Sequence, residues 1–301
     1  MTEDYDRSSN RGRRGAKSEA EDPEAHLPPE FGTAVQFSNY ERNWIRTHLG
    51  TFHEKELILD VVRRIKPGKE ATVYACTGHP GLELPVVAAK LYREQSLRGS
   101  KNTAQYQEGR ELLDEDGESG RQGSRRPSKG KSGPRKAKGA VAAAASQTSW
   151  IMHEFTVLRE LHAQGGDVPK PIEHAPQALL MEFIGEGTEG APALNDVVLE
   201  PGEAKQLFER VVFNIELLLG LGWVHGDLSA YNILYHQGRI VLIDFPQVVH
   251  CRNNPKARAL FERDVQRVAE YFSSKDSCID HQKVARQLWE KHIPRDAETA
   301  D

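Results

Sequence analysis

His225-Gly226-Asp227-Leu228-Ser229-Ala230-Tyr231-Asn232, followed closely by Arg239-Ile240-Val241-Leu242-Ile243-Asp244-Phe245, is the stretch that decides the fold. Ile233 to Tyr235 and Arg239 to Ile243 read as two short strands joined by a tight turn at Gln237-Gly238. The hairpin therefore carries an acid, Asp244, at its far end and a polar loop at its near end. Phosphoryl transfer asks a protein mainly for positioning and for neutralisation of charge. Asp227 suits the carboxylate that orients or deprotonates an incoming hydroxyl. Asn232, five residues on, suits a neutral oxygen ligand for Mg²⁺, and Asp244 suits a carboxylate bridging that metal to phosphates, because Mg²⁺ requires hard oxygen donors. Each fragment alone reads as a capped turn or a strand end. The three in this order, joined by a hairpin, point to nucleotide chemistry.

Such a loop needs a cation for the α- and β-phosphates and an anion to hold that cation. Lys90 ends the apolar series Val87-Ala88-Ala89, where an unpaired charge would be costly to bury. Glu154, on a helix expected from Trp150 to Leu161, is the preferred partner and Glu160 the second candidate. The alternative for Lys90 is an edge residue whose stem alone is buried. The segment from Ile65 to Tyr74, with Pro67-Gly68-Lys69, lies where a phosphate-covering loop would sit, although it is neither GxGxxG nor a Walker loop. His225 is expected to order the catalytic loop rather than to exchange protons. Asp264 either accepts hydrogen bonds from that loop or is an ordinary surface carboxylate.

Around these residues the periodicity gives three strands (Leu57 to Ile65, Ala71 to Ala75, Pro85 to Tyr92), a short strand-like run from Ala178 to Ile184, and a strong helix from Glu203 to Leu221. Helices over about 256–272 and 280–292 follow. Strands first and mostly helix afterwards is an α+β pattern: a β-rich N-lobe against a reduced helical C-lobe, a small bilobal arrangement like that of protein kinases. The expected divisions are a disordered tail over 1–35, an N-lobe over 36–185 and a C-lobe over 186–301. Within the N-lobe, a flexible insertion is expected over 112–147. It begins acidic at Asp114 to Glu118 and turns basic from Arg121 to Lys138. It reads either as a solvated loop or as a polybasic arm touching RNA or a partner.

The hydrophobic share, 38%, is low for a fully packed chain, which fits these breaks, and the net charge of −4 gives no global field for nucleic acid or membrane. Cys76, Cys251 and Cys278 lack metal or disulfide spacing and fit a reducing compartment. With no apolar leader and no run long enough to cross a bilayer, a cytoplasmic protein is expected.

The combination IKPGKEATVY, VVAAKLY, LLMEFIGEG, APALNDV, HGDLSAYNILY and LIDFPQVV resembles the RIO family of atypical serine/threonine kinases over about residues 50–272. The first subfamily, without a winged-helix domain, is the better fit, although IDFPQ resembles the second. The resemblance implies that Asp227 is the catalytic base and that Asn232 and Asp244 hold Mg²⁺. It implies that Lys90, paired with Glu154, binds phosphate, and that Gly68 and Lys69 cover it. It further implies that Glu182 and Ile184 offer backbone groups to adenine, and that Asp244 accepts phosphate transiently in an ATPase-like turnover. Ala230 departs from the family, which usually has Glu there. ATP and Mg²⁺, with Mn²⁺ as a substitute, are the implied cofactors. The implied partners are a protein substrate of unknown identity and a ribosomal particle or RNA at the basic insertion.

Two other functions stay open. A small-molecule kinase of the aminoglycoside or choline type shares HGDxxxxN, but normally carries a large helical substrate lobe, and only about 57 residues follow Asp244. A nucleotide-gated ribonucleoprotein assembly factor would bind ATP with little transfer, and the basic stretches favour it.

Overall fold

A computed structural model of the chain describes residues 37–68, 70–93, 135–275 and 279–293, with backbone only over 135–148. The expected tail over 1–35, Lys69, Cys278 and the first part of the insertion lie outside the described residues.

The first element is a helix that the strand and helix patterns above do not include, α1 (Asn39–Glu54). Ser38 caps it by accepting from the Glu41 N–H, and Ile45, Leu49 and Phe52 supply its buried face. Strands β1 (Ile58–Pro67), β2 (Ala71–Gly78) and β3 (Val86–Tyr92) follow as antiparallel neighbours. The β3 sequence VVAAKLY is buried almost throughout, so it reads as a continuous apolar strand interrupted by one lysine.

Helix α2 spans Arg135–Ala163, fifteen residues longer at its start than Trp150 to Leu161. It therefore takes in 135–147, which the insertion was expected to occupy as a flexible loop. The run Ala140-Val141-Ala142-Ala143-Ala144-Ala145 explains the correction, because alanine has the highest intrinsic helix propensity. Glu154 accordingly sits well inside the helix.

Strands β4 (Pro171–Ala175) and β5 (Ala178–Glu182) complete a five-stranded sheet in the order β1-β2-β3-β5-β4. One apolar cluster joins α1 to this sheet through Ile45, Phe52, Tyr74, Val87 and Leu180. A second, larger cluster fills the helical part and takes in Leu158 and Leu161 of α2. The small pair β6 (Gly185–Glu186) and β7 (Glu189–Gly190) lies between the two parts in sequence.

The second part contains α3 (Glu203–Gly220), β8 (Trp223–Val224), β9 (Ile233–His236), β10 (Arg239–Leu242), β11 (Val249–His250), α4 (Ala257–Ser273) and α5 (His281–His292). The β9–β10 turn has positive φ at both Gln237 (51°) and Gly238 (75°), the geometry that matches the twist of a two-residue hairpin. Asp167, between α2 and β4, accepts from Arg210 Nε (2.5 Å) and Asn214 Nδ2 (2.7 Å) of α3, while its carbonyl accepts from Leu242 N (2.8 Å). This tie sets the end of β10 against the base of α2, two residues before Asp244. Cys76 and Cys251 are buried free thiols. Among the described residues, no helix is long and apolar enough to cross a membrane.

Candidate active site

A cleft of about 450 Å³ opens between the sheet and the helical part. Its walls take in Gly68, Lys90, Glu154, Glu182, Ile184, Asp227, Asn232 and Asp244, all expected site residues, brought together from segments far apart in the chain.

Lys90 is the centre of its inner end. Its Nζ lies 2.7 Å from Glu154 Oε1 and 2.7 Å from Asp244 Oδ1. Burial opposes the ammonium charge, but the two carboxylates outweigh it and hold the Lys90 pKa well above its ordinary value. Glu154 is buried and takes three donors: Lys90, the Tyr92 hydroxyl, and the Phe245 N–H at 3.3 Å. Glu160, the second candidate partner, instead accepts from Trp223 Nε1 at 2.9 Å.

Asp244 has φ 72°, a left-handed conformation that a non-glycine residue adopts at a cost. That turn aims its carboxylate back at Lys90 from the end of β10. Its side chain is 45% exposed because it borders the open cleft. Burial works against its charge, yet Lys90 lowers its pKa below the usual carboxylate range. With Oδ1 on Lys90, Oδ2 remains for another ligand.

The loop from His225 to Asn232 is held from three sides. Asn232 Nδ2 donates to the Asp227 carbonyl at 2.9 Å, which leaves the Asn232 amide oxygen as its free ligand atom. His225 lies 3.2 Å from the Ile243 carbonyl, and burial lowers its pKa, so the ring is neutral near pH 7 and acts as a spacer between loop and hairpin. Gly226, at φ 80°, donates its N–H to Asp264 Oδ2 at 2.7 Å, and its carbonyl accepts from Arg263. Asp264 is thus no surface carboxylate: it is 3% exposed and faces inward from α4.

Burial, against the opposing pull of Arg263 and the Gly226 N–H, raises the Asp264 pKa to about 7. Because the folded value lies above the ordinary 3.8, the fold favours the protonated acid. Its stabilising contribution is complete below pH 4 and is lost as pH rises towards 7, at most about 4 kcal/mol. Urea unfolding at pH 5 and pH 8 should show this loss in the wild type and a flatter profile in Asp264→Asn. Equal profiles would disprove it.

The β1–β2 turn borders the cleft through Lys66, Gly68 and Glu70. A Cβ on Gly68 would come within 2.5 Å of the Ala71 carbonyl oxygen, so this turn tolerates only glycine without shifting. Glu70, which the sequence pattern does not single out, is half-buried and feels the Asp227 and Asp244 carboxylates. Burial first, then Asp244 and Asp227, raise its pKa against the pull of Lys90. At the outer end of β5, the Glu182 N–H donates to the Lys170 carbonyl (2.8 Å) and the Ile184 carbonyl accepts from Ala191 N (2.9 Å). Ile184 therefore has its N–H left to offer. Arg267, equally unmarked by the sequence, places Nη1 2.9 Å from Asp227 Oδ1.

The donor set suits a hard divalent cation: a free amide oxygen on Asn232 and a free carboxylate oxygen on Asp244, both on the cleft wall. Two protein ligands match Mg²⁺, which is commonly completed by water and substrate phosphates.

The RIO domain family model matches residues 118–284, over half of the chain. Serine/threonine-protein kinase rio1 of Schizosaccharomyces pombe is 30% identical over 69% of this chain and 37% of its own length. The RIO-type serine/threonine-protein kinase Rio1 of Haloferax volcanii is 31% identical over 72% of this chain and 64% of its own. The chain thus spans between about a third and two thirds of these two relatives. The crystal structure of the Rio2 kinase–ADP/Mg²⁺–phosphoaspartate complex from Chaetomium thermophilum superposes with TM-score 0.56 at 20% identity, covering 84% of this chain and 70% of that one, which shows a shared kinase-type fold. Both sequence relatives are of the Rio1 type, in keeping with the subfamily expected from the motifs. Cleft, hairpin and family match agree: the chain belongs to the RIO family.

Proposed function

We propose that the protein is an ATP-dependent phosphotransferase of RIO type, moving the γ-phosphoryl group to a protein hydroxyl, to itself or to water. One observation carries this reading: Lys90 is fixed between Glu154 and Asp244 at the inner end of a cleft whose other wall bears Asp227 and Asn232. The apolar surface of Ala88, Met181 and Ile243 would take adenine, with the Glu182 and Ile184 backbone at its edge. Gly68 and Lys69 would close over the phosphates, and Lys90 would neutralise them. Asp227 would receive or orient the acceptor proton. Mg²⁺ held by Asn232 and Asp244 would supply charge neutralisation at the phosphates, and Mn²⁺, which takes the same oxygen ligands, would substitute. The Phe245 N–H and Lys90 share Glu154, so the residue after Asp244 is anchored by the same carboxylate that holds the lysine. The basic residues from Arg121 to Lys138 support an additional contact with RNA or a ribosomal particle, which salt-dependent binding would register.

The test is ATP hydrolysis and self-labelling by the purified chain as Mg²⁺ is titrated. ADP accumulation or transfer of label that needs the metal is the expected result. Tight ATP binding without either would make the protein a nucleotide-gated binding factor.

A further inference from the structure

We infer that Arg267 selects acceptors carrying an anionic group, carboxylate or phosphate, beside the hydroxyl to be phosphorylated. This deepens the phosphotransferase reading and rests on it.

Helix α4 meets the catalytic loop with three side chains, and they do different things. Arg263 and Asp264 bond the backbone of Gly226. Arg267, one turn on, touches the Asp227 carboxylate itself. The loop is already held by Asp264, Arg263 and Asn232, so its shape does not need this contact. The pair is also open to solvent, Arg267 42% and Asp227 38% exposed, and Asp227 lines the cleft. An exposed single-contact ion pair contributes little to stability and is readily exchanged.

The geometry is that of a recognition element. Arg267 uses Nη1 on Oδ1, so Asp227 Oδ2 and the other guanidinium N–H groups stay open. A hydroxyl close enough to give Asp227 its proton brings its neighbouring side chains to the guanidinium, whose planar donors match carboxylate or phosphate in a two-point contact. Lys66, exposed on the β1–β2 turn and lining the cleft into which Asp227 opens, adds a second cation to it. An anionic neighbour is attracted there and a cationic one repelled.

The experiment compares peptides with one serine flanked by Asp, phosphoserine, Ala or Lys, assayed for phosphate transfer by the full chain. Wild type should favour an anionic flank over Ala about tenfold in kcat/KM, chiefly through KM. The Asp and phosphoserine arms tell carboxylate from phosphate. Arg267→Gln should bring that ratio near one, Arg267→Lys should keep part of it, and Arg267→Glu should turn preference toward the Lys flank. The ratio is the informative quantity, because damage to loop geometry slows all peptides together and leaves it unchanged. A ratio near one in the wild type, or the same ratio in Arg267→Gln, overturns the inference. ATP hydrolysis without peptide is read in parallel. Hydrolysis with no peptide labelled, or labelled without bias, overturns this inference alone; neither hydrolysis nor any transfer of label overturns the phosphotransferase reading and this one with it.

Discussion

Asp227→Ala and Asp244→Asn should each reduce ATP turnover and self-labelling by at least about a thousandfold, roughly 4 kcal/mol of transition-state stabilisation, while failing in different ways. Asp227 contacts Arg267 through its side chain and Asn232 only through its carbonyl. Removing its carboxylate leaves the Lys90–Glu154–Asp244 chain in place, so nucleotide should still bind, and the loss should fall on kcat. General-base removal commonly costs about 10²–10⁴-fold, and the loss expected here lies in the upper half of that range.

Asp244→Asn keeps the side chain's shape but takes a negative charge from Lys90 and from the metal position. Lys90 would retain Glu154 as its partner, so the fold should persist. Mg²⁺-dependent ATP affinity should drop as well as turnover. Isothermal titration with ATP, with and without Mg²⁺, separates the cases. If Asp227→Ala loses affinity while Asp244→Asn keeps it, the two roles are wrongly apportioned. If wild type and both variants are equally silent while ATP binds, the enzyme reading fails.

Much of this site is legible in the sequence because its residues come in short, ordered segments. His225 to Asn232, the turn at Gln237-Gly238 and Asp244 lie within 20 residues of one another, and their strand pattern fixes their spacing. Lys90 is visible as the one charge in a buried strand. The pairing of Lys90 with Asp244 spans 154 positions and follows only once the two parts close on each other. Arg267 could not be picked out: on an amphipathic helix its spacing reads as solvent-facing, and only packing turns it to Asp227. Helix α1 did carry a signal, since Ser38-Asn39-Tyr40-Glu41 has the form of a capping box ahead of Trp44, Ile45, Leu49 and Phe52. Glu41 also accepts from the Tyr74 hydroxyl at 2.9 Å, tying that helix to β2. The start of α2 was hidden by its neighbours, because the Gly-, Ser- and Pro-rich basic run preceding the alanines dominates the composition there.

Glu154→Ala should destabilise the protein by about 3–5 kcal/mol, read as a lower urea midpoint, because it breaks a buried pair from one side. Three donors lose their acceptor at once: Lys90 Nζ, the Tyr92 hydroxyl and the Phe245 N–H. Asp244 softens the loss for Lys90 alone, since it still offers a carboxylate at 2.7 Å. A surface ion pair would lose less than about 1 kcal/mol in the same experiment, so the magnitude itself tells the two situations apart. The double variant Lys90→Met with Glu154→Leu sharpens the argument. Replacing both members of a buried pair by apolar groups of similar volume is often neutral or stabilising, so this protein should regain the part of the loss due to the uncompensated Lys90 and the cavity, while the Tyr92 hydroxyl and the Phe245 N–H stay without their acceptor. It should nevertheless bind and turn over no ATP. Recovery of stability without recovery of nucleotide binding would mean that the buried pair is kept for phosphate and not for the fold. A double variant less stable than Glu154→Ala would instead make the pair a structural element in its own right, because both variants lack the Tyr92 and Phe245 contacts equally.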